Sequence, residues 1–407
     1  MKKELLFITD SLPFPVGRNG STTINGNLLP FLAEEFDVHY CCLNDDQLNE
    51  ALVRETKQYV KSLHIVEPRF RAPMVSWLAK IIRFLVLKPH ETVAVASNEM
   101  KQVIESLEST RSIDVILADL HFYAPLVSNS GLPKLVSPHD SRALLYSSFR
   151  EAATQPLAAL YYRIHSWVLK RFEAGTFNSF DRVLFVSERD ADYARDYIAS
   201  EKIQVIANGV DLSSLQTPVR RKPGEPMKLV FSGKLDYKPN LDAVDYLCKR
   251  LLPELLKRIP DLHLTIVGDN SGYDWRSASA AVPGALTFTG YVENIVGELG
   301  RHSLYICPLS SGAGFKNKVL DAVAAGLPLI GTAMSFDGMV FNDGEDILVT
   351  DLENMVENVV RVAADADGAH AMACRAQEKL LDNYRWSAIA EQYIQVINDA
   401  IEERDNR

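Results

Sequence analysis

Residues 306–326, ICPLSSGAGFKNKVLDAVAAG, carry the strongest chemical signal in the sequence. The pattern predicts a strand that ends at Pro308, a loop of small residues, and a helix from about Phe315 to Gly326. Glycines in the loop let the backbone approach a ligand closely. The start of the helix adds unpaired N–H groups, which favour an anion such as a phosphate.

Two lysines and one aspartate occupy this helix. Lys316 and Lys318 lie in its predicted first turn, where the helix dipole disfavours a cation unless an anion is bound. Asp321 follows about one turn later, where it can accept hydrogen bonds from ribose hydroxyls. The competing interpretation, a surface helix with incidental lysines, does not explain cations at the wrong end of the helix.

A second basic loop lies in residues 231–244, FSGKLDYKPNLDAV. Lys234 and Lys238 follow a predicted strand and precede a helix, an arrangement that suits a diphosphate. The alternative is a solvated loop in which Asn240 caps the helix.

The first half of the chain contributes two more candidate loops. In SPHDSR, His139 and Asp140 follow an apolar strand and can bind sugar hydroxyls or a phosphate, although Asp140 fits equally well as a helix N-cap. The loop of residues 10–20, DSLPFPVGRNG, places Gly17 and Gly20 ahead of a helix. It has no GxGxxG motif, which argues against a nicotinamide-dependent dehydrogenase.

Short apolar runs alternate with helical patterns along the whole chain, which predicts parallel sheets covered on both faces. Two such series predict an α/β protein with two Rossmann-like domains, residues 1–206 and 227–383, joined by a polar linker, residues 207–226. The final helix, residues 384–407, has no strand of its own to cover, so it is free to pack on the N-terminal domain. The predicted strands are Leu5–Ile8, Asp37–Cys42, Leu63–Val66, Ile113–Ala118, Pro133–Val136, Arg182–Val186, Ile203–Ile206, Lys228–Phe231, Leu262–Val267, Leu286–Thr289, Ser303–Cys307, Leu329–Ile330 and Ile347–Val349.

The net charge, the cysteine content and the lengths of the apolar runs exclude several classes of protein. A formal charge of −10 over 407 residues argues against a protein that coats nucleic acid, because that function needs a basic surface. Five cysteines without metal-ligand spacing indicate reduced thiols. The apolar run near the N-terminus is too short for a signal peptide, and no stretch is long enough to span a membrane. These features predict a cytoplasmic protein, with peripheral membrane contact left open.

Six stretches, in order along the chain, resemble the family-four retaining glycosyltransferases. The variants DYKPNLDAV and KNKVLDA are most similar to a bacterial exopolysaccharide sugar-transferase branch of that family. The six stretches are VSERD (186–190), IANGVD (206–211), LVFSGKLDYKPNLDAV (229–244), LTIVGDN (264–270), LTFTGYVENI (286–295) and GFKNKVLDAVAAGLPLI (314–330).

The resemblance implies the GT-B fold, in which two Rossmann-like domains face a central cleft. It implies transfer of a hexose from a nucleotide diphosphate sugar to a glycan or lipid-linked acceptor, with retention. It assigns the main catalytic roles to His139, Lys234 and Lys318. The wider donor site then comprises Gly17, Gly20, Asp140, Lys238, Gly290, Tyr291, Val292, Gly312, Ala313, Gly314, Phe315, Lys316, Asn317 and Asp321.

The sequence departs from the family at one position. The family often has two glutamates separated by seven residues, and Ala313 and Asp321 stand at those positions here. Loss of the first carboxylate removes the usual side-chain contact to hydroxyls of the donor sugar. The branch resembled often lacks that glutamate, so the departure does not indicate a dead enzyme.

No cofactor or metal is expected, because fixed cations and helix N–H groups can stabilise a leaving diphosphate. The Asp-x-Asp patterns at 190/192 and 365/367 are interpreted as solvated faces. A nucleotide-sugar epimerase or hydrolase on the same fold, and a non-catalytic sugar-nucleotide binder, are the alternatives.

Two basic and apolar stretches, residues 69–88 and 161–172, suggest an interfacial helix on anionic lipid. For both, the competing interpretation is a helix packed in the core with its cations reaching solvent.

Overall fold

The computed structural model describes residues 2–18, 20–43, 49–67, 89, 98–110 and 113–405. The chain divides into two compact units. The first unit is Met1–Asn208 together with Trp386–Arg407, and the second is Gly209–Arg385.

The first unit is built on a seven-stranded parallel sheet in the order β3-β2-β1-β4-β5-β6-β7. All five residues of β4 are buried, which explains why such strands appear in the sequence as unbroken apolar runs. The strands are β1 Lys3–Thr9, β2 Phe36–Leu43, β3 Ser62–Val66, β4 Val115–Asp119, β5 Lys134–His139, β6 Arg182–Phe185 and β7 Ile203–Val205. The helices are α1 Gly20–Glu35, α2 Glu50–Thr56, α3 Asn98–Thr110, α4 Ala124–Val127, α5 Arg142–Ala152, α6 Pro156–Phe177 and α7 Glu188–Arg195.

The second unit repeats this design with a six-stranded sheet in the order β10-β9-β8-β11-β12-β13. A π-helical turn, Leu247–Leu251, joins its first two helices. The strands are β8 Lys228–Ser232, β9 His263–Val267, β10 Leu286–Gly290, β11 Leu304–Cys307, β12 Leu329–Gly331 and β13 Leu348–Val349. The helices are α8 Lys238–Tyr246, α9 Leu252–Arg258, α10 Trp275–Ala281, α11 Ile295–Leu299, α12 Asn317–Ala324, α13 Met355–Ala364 and α14 Ala366–Asn383.

The strand orders confirm the predicted Rossmann-like topology, and each of the thirteen predicted strands is present. In both sheets the order reverses beside the first strand, between β1 and β4 and between β8 and β11. Ligands of open parallel sheets bind beyond the carboxyl ends of the strands at this reversal. The loops after these four strands are therefore the ones that position a site.

The last helix, α15 (Trp386–Asp405), packs against α1, β4 and β5 of the first unit. Tyr393 is buried there, and its hydroxyl lies 3.4 Å from Ser137 Oγ. Glu403 pairs with Arg182 at the other end of the helix. In the part of the chain that the structure describes, no helix has both the length and the apolarity needed to cross a membrane.

Candidate functional site

His139 ends β5, and its imidazole is held by the neighbouring strand. The ring Nε2 lies 2.6 Å from Oδ1 of Asp119, the last residue of β4. His139 has a φ of +66°, a left-handed conformation that non-glycine residues adopt rarely and that tends to mark functional sites. Because Nε2 is engaged with Asp119, Nδ1 is the ring nitrogen available to a ligand.

The second oxygen of Asp119 is anchored by helix α1. Asn25 Nδ2 donates to Oδ2 over 2.8 Å, and Ser21 Oγ lies 2.9 Å from the same oxygen. Ser21 Oγ is also 2.8 Å from Asp10 Oδ1, at the end of β1. The Ser21 hydroxyl thus lies within hydrogen-bond distance of both carboxyl groups. Asp10, Asp119 and His139 are thereby linked at the ends of β1, β4 and β5.

The charged groups in this cluster shift one another's pKa values. Burial, followed by the charge of Asp119, raises the pKa of Asp10. Burial by itself would lower the pKa of His139, but the charge and hydrogen bond of Asp119 outweigh it and raise that pKa. A protonated His139 is therefore favoured, which equips it to donate a hydrogen bond to an electron-rich ligand.

Asp140 does not cap the following helix. The N-cap of α5 is Ser141, whose side chain accepts from Leu144 N, so the capping alternative for Asp140 is wrong. The Asp140 side chain is about one-fifth exposed and lies 3.6 Å from Arg142 Nε. It stays next to His139, at the same end of β5.

Beneath Ser141 lies a buried carboxyl group that the sequence did not reveal. Glu173 accepts from Ser141 Oγ at 3.0 Å, from Ala143 N at 3.1 Å and from Tyr197 OH at 2.5 Å. Burial raises the pKa of Glu173 to about 7. Glu173 thereby ties α6 to the first turn of α5, directly after His139 and Asp140.

Asp190 completes this network. It is fully buried, accepts from Ser141 N at 2.8 Å and pairs with the Ser187 hydroxyl. The interpretation of residues 190 and 192 as a solvated face is wrong for Asp190, while Asp192 is 71% exposed.

The loop after β1 contains two glycines with space beside their backbones. Gly17 has a φ of +86°, and among the described residues no atom lies within 4 Å of a Cβ built on Gly17 or on Gly20. Gly20 is the first residue of α1, the helix that carries Ser21.

In the second unit, Lys318 lies at the centre of the predicted donor loops. Its Nζ donates to Asn240 Oδ1 over 2.5 Å and lies 4.5 Å from the centre of the Phe231 ring. Asn240 Nδ2 donates in turn to the Lys234 carbonyl over 2.9 Å. Asn240 thus joins the loop after β8 to helix α12. It does not occupy the N-cap of α8, where Tyr237 stands, so the capping alternative for Asn240 is wrong.

A glycine makes this contact possible. A Cβ on Gly233 would lie 2.7 Å from Asn240 Nδ2 and 2.8 Å from Lys318 Nζ. A Cβ on Gly268, where φ is +134°, would lie 2.4 Å from the Gly233 carbonyl oxygen. Both positions therefore need glycine for close packing beside the lysine.

Burial perturbs both charged groups of α12. Burial, with the charge of Lys316 adding to it, lowers the pKa of Lys318 to about 8. Burial also raises the pKa of Asp321 to about 7, although the charge of Lys318 opposes the shift. Perturbed pKa values of this kind are concentrated at functional sites.

The other lysines are engaged locally. Lys234 Nζ lies 2.7 Å from Asp236, and Lys238 Nζ lies 2.7 Å from Asp242. Lys316 is buried and donates to the carbonyls of Ala313 and Gly314. Lys316 therefore shapes the loop, while Lys234 and Lys238 remain more than 40% exposed at its rim.

The remaining predicted residues line the same edge of the second sheet. Gly312 and Gly314 have φ values of +136° and +68°, and Asn317 starts α12. Gly290, at the end of β10, has a φ of +73° and its carbonyl accepts from Gly268 N over 3.0 Å. The side chains around these glycines differ in burial. Ala313 is buried, Val292 and Phe315 are half-buried, and Tyr291 is 74% exposed. The centre of the Phe315 ring lies 5.7 Å from that of Tyr384.

Several site residues were absent from the sequence-based candidates, namely Asp119, Ser21, Asn25 and Glu173. Asp119 carried a usable signal, because it directly follows the predicted strand Ile113–Ala118 at the topological reversal. Among the described residues, no group of three or more His, Cys, Asp or Glu side chains is placed to hold a metal ion.

The two basic and apolar stretches have different outcomes. Residues 69–88 lie outside the described residues. Residues 161–172 belong to α6, where Val168 and Leu169 are buried but Trp167 is 47% exposed. The core-packed interpretation therefore describes only one face of this helix.

Comparison with known families decides the identity. Residues 18–214 match the family described as Glycosyltransferase Family 4, and residues 226–365 match the family described as Glycosyl transferases group 1. The chain belongs to the family-four glycosyltransferases. The resemblance found in the sequence is thereby confirmed, and so is the GT-B fold.

Two bacterial relatives of this glycosyltransferase align with most of its length. A 44.6 kDa protein in the cps region of Klebsiella pneumoniae is 20% identical over 94% of this chain and 96% of its own length. The GDP-mannose:cellobiosyl-diphosphopolyprenol alpha-mannosyltransferase of Xanthomonas oryzae pv. oryzae is 25% identical over 72% of this chain and 76% of its own.

Solved structures share the fold of this glycosyltransferase over almost its full length. Sucrose-phosphate synthase of Thermosynechococcus elongatus superimposes with a TM-score of 0.73 at 15% identity, covering 99% of this chain and 100% of its own. HepE of Anabaena, solved in complex with UDP and glucose, has a TM-score of 0.67 at 14% identity, covering 98% and 100%.

Proposed function

We propose that this glycosyltransferase transfers a hexose from a nucleotide diphosphate sugar to a glycan or lipid-linked acceptor, with retention, in the synthesis of a cell-surface polysaccharide on the cytoplasmic side of the membrane. The observation that carries the proposal is the Lys318 ammonium, held by Asn240 against Gly233 near the start of α12. The mannosyltransferase relative and the relative from a cps region support the substrate class.

The diphosphate is the leaving group in this proposal. Negative charge builds on it as the bond to the sugar breaks, and fixed cations that meet this charge lower the barrier. Lys318 supplies such a cation from a partly desolvated position. Lys234 supplies a second, more mobile one at the rim, where a phosphate competes with Asp236 for its ammonium. Asp321 and the Gly290–Val292 segment are assigned to the nucleoside.

In this proposal the acceptor oxygen attacks the sugar carbon from the same face that the diphosphate leaves, so the configuration is retained. The sugar–phosphate C–O bond breaks, the acceptor oxygen bonds to the same carbon, and the acceptor proton passes to a departing phosphate oxygen. No side-chain base or metal ion is needed in this scheme. His139, oriented by Asp119, positions the donor sugar through Nδ1.

The first test measures nucleotide binding by thermal shift and by calorimetry. UDP, GDP and ADP and their sugars are compared with and without EDTA, in the natural protein, in Lys318→Ala and in Lys257→Ala. Lys257 is a matched control because it is an exposed, ion-paired lysine on α9 of the same unit. One nucleotide should bind, independently of EDTA, and Lys318→Ala should weaken that binding by about 10- to 100-fold while Lys257→Ala leaves it unchanged.

Turnover separates the proposal from the alternatives. Release of nucleotide only when acceptor is present indicates transfer, whereas donor consumption without acceptor indicates an epimerase or hydrolase. Binding without turnover across a panel of acceptors indicates a non-catalytic binder. The anomeric configuration of the product, read by NMR, tests retention.

A further inference from the structure

Helix α6 of the first unit carries an apolar stripe on its solvent-exposed face. Leu157 is 82% exposed and Leu160 is 52% exposed, and Trp167, ten residues after Leu157, is 47% exposed. Tyr161, 42% exposed, lies between them in the sequence. Spacings of three, four and ten residues put these side chains on one side of a helix.

The charged side chains that α6 exposes to solvent are all positive. Arg163 and Arg171 are exposed, and the Arg171 guanidinium lies 5.1 Å from the centre of the Trp167 ring. The single acidic residue in this 22-residue helix is Glu173, which is fully buried against Ser141 and Tyr197. The exposed face is therefore apolar and cationic in a chain of formal charge −10.

The buried face fixes this orientation. Leu169, Glu173 and Phe177 pack inward, and Ser166 Oγ donates to the Ala143 carbonyl of α5 over 2.7 Å. Rotating the helix to hide Leu157 and Trp167 would remove Glu173 from its three donors. Burial of a carboxyl group without its hydrogen bonds is costly, so the stripe is held at the surface.

We propose that the exposed face of α6 docks on an anionic lipid bilayer. Leucine, tryptophan and tyrosine side chains with arginine alongside are suited to the interface between acyl chains and headgroups. The cations match an anionic leaflet, to which an acidic protein would otherwise be poorly attracted. The inference rests on the proposed function in one respect, since a lipid-linked acceptor is presented at a bilayer, but vesicle binding is measurable without turnover.

The test is vesicle flotation with the full chain. Vesicles of phosphatidylcholine mixed with phosphatidylglycerol are compared with phosphatidylcholine alone, using a Leu157→Ser/Leu160→Ser/Trp167→Ser variant and an Arg163→Glu/Arg171→Glu variant. Both should bind anionic vesicles at least about tenfold more weakly than the natural protein. Val219→Ser is the matched control, because Val219 is an apolar side chain of the second unit that is 80% exposed, and it should leave binding unchanged.

Tryptophan fluorescence locates the contact. Adding anionic vesicles should shift the emission to shorter wavelength, and Trp167→Phe should lose this shift while still floating with the vesicles.

Three results would overturn the inference: no binding of the natural protein to anionic vesicles, binding that survives both α6 variants, or an emission shift that persists in Trp167→Phe. Sedimentation in which the serine variant turns a dimer into a monomer, without any effect of vesicles, would assign the stripe to a second copy instead. Nucleotide binding measured on the same samples shows whether the donor site is intact, which separates failure of this inference from failure of the proposed function.

Discussion

His139 Nε2 lies 2.6 Å from Asp119 Oδ1, and Asp119 is itself held by Asn25. These residues come from two adjacent strands and the first helix, at the point where the strand order reverses. The carboxylate fixes both the orientation of the imidazole and its charge, so Asp119 is a positioning residue for His139.

Asp119→Asn should retain the shape of the site and remove its charge. We expect kcat to fall about tenfold or more, because a charge-assisted hydrogen bond is lost. Asp119 raises the pKa of His139, so the protonated imidazole persists to higher pH in the natural protein. In the variant, the loss of activity with rising pH should therefore begin at lower pH.

A full pH–rate profile checks this prediction. Asp192→Asn, an exposed position of the same unit, is the control and should leave the profile in place. An unchanged profile in Asp119→Asn would remove Asp119 from the positioning role.

Lys318 should make nucleotide affinity dependent on pH. Its pKa is lowered to about 8 by burial, so the free protein loses the ammonium as pH rises through that value. We expect the nucleotide Kd to increase above pH 8, and Lys318→Ala to weaken binding by about 10- to 100-fold, equivalent to a charged hydrogen bond of about 1.5–3 kcal/mol. Calorimetry across this range measures both effects. A Kd that rises equally in Lys318→Ala would trace the pH dependence to another group.

Gly268→Ala should destabilise the second unit. Its Cβ would lie 2.4 Å from the Gly233 carbonyl oxygen, and the φ of +134° is strained for any L-residue. We expect a loss of at least about 2 kcal/mol in the free energy of unfolding, measured by urea titration. Gly175→Ala, in the last turn of α6 with no described atom within 4 Å of its Cβ, should instead be neutral or stabilising by up to about 0.5–1 kcal/mol. Equal effects at the two positions would contradict the packing argument.

Glu173 should make the stability of the first unit depend on pH. Its pKa is raised in the folded state to about 7, so folding favours the protonated form. The stability that this group contributes is present below its ordinary pKa of 4.5 and is lost as pH rises towards 7, by up to about 3 kcal/mol. Glu173→Gln imitates the protonated form and should flatten that slope. Urea unfolding between pH 5 and pH 8 measures how stability changes with pH. The same change in Glu173→Gln as in the natural protein would show that Glu173 is not its source.

The strands were predictable because each one is short, apolar and bounded by polar turns. The prediction succeeded even for β13, which has two residues, because the run at residues 347–349 has the same pattern. Capping was less predictable: Asp140 and Asn240 both looked like caps, while Ser141 and Tyr237 hold those positions. Asp140 and Ser141 have similar cap propensity, so only the local backbone path separates them. Tyr237 makes no side-chain cap hydrogen bond, so residue type could not have indicated where α8 begins.

The sequence by itself determined the family, the two parallel sheets and the loops that bear the lysines, because these depend on residue type, periodicity and order along the chain. The tertiary structure alone decided which side chains meet. Lys318 and Asn240 are 78 residues apart, and Asp119 and His139 are 20 apart on adjacent strands, so their contacts depend on strand order and close backbone approach. The rotation of α6, set by Glu173 and its donors, decided which of its apolar residues face solvent. Local periodicity could not choose between those faces, because both are apolar.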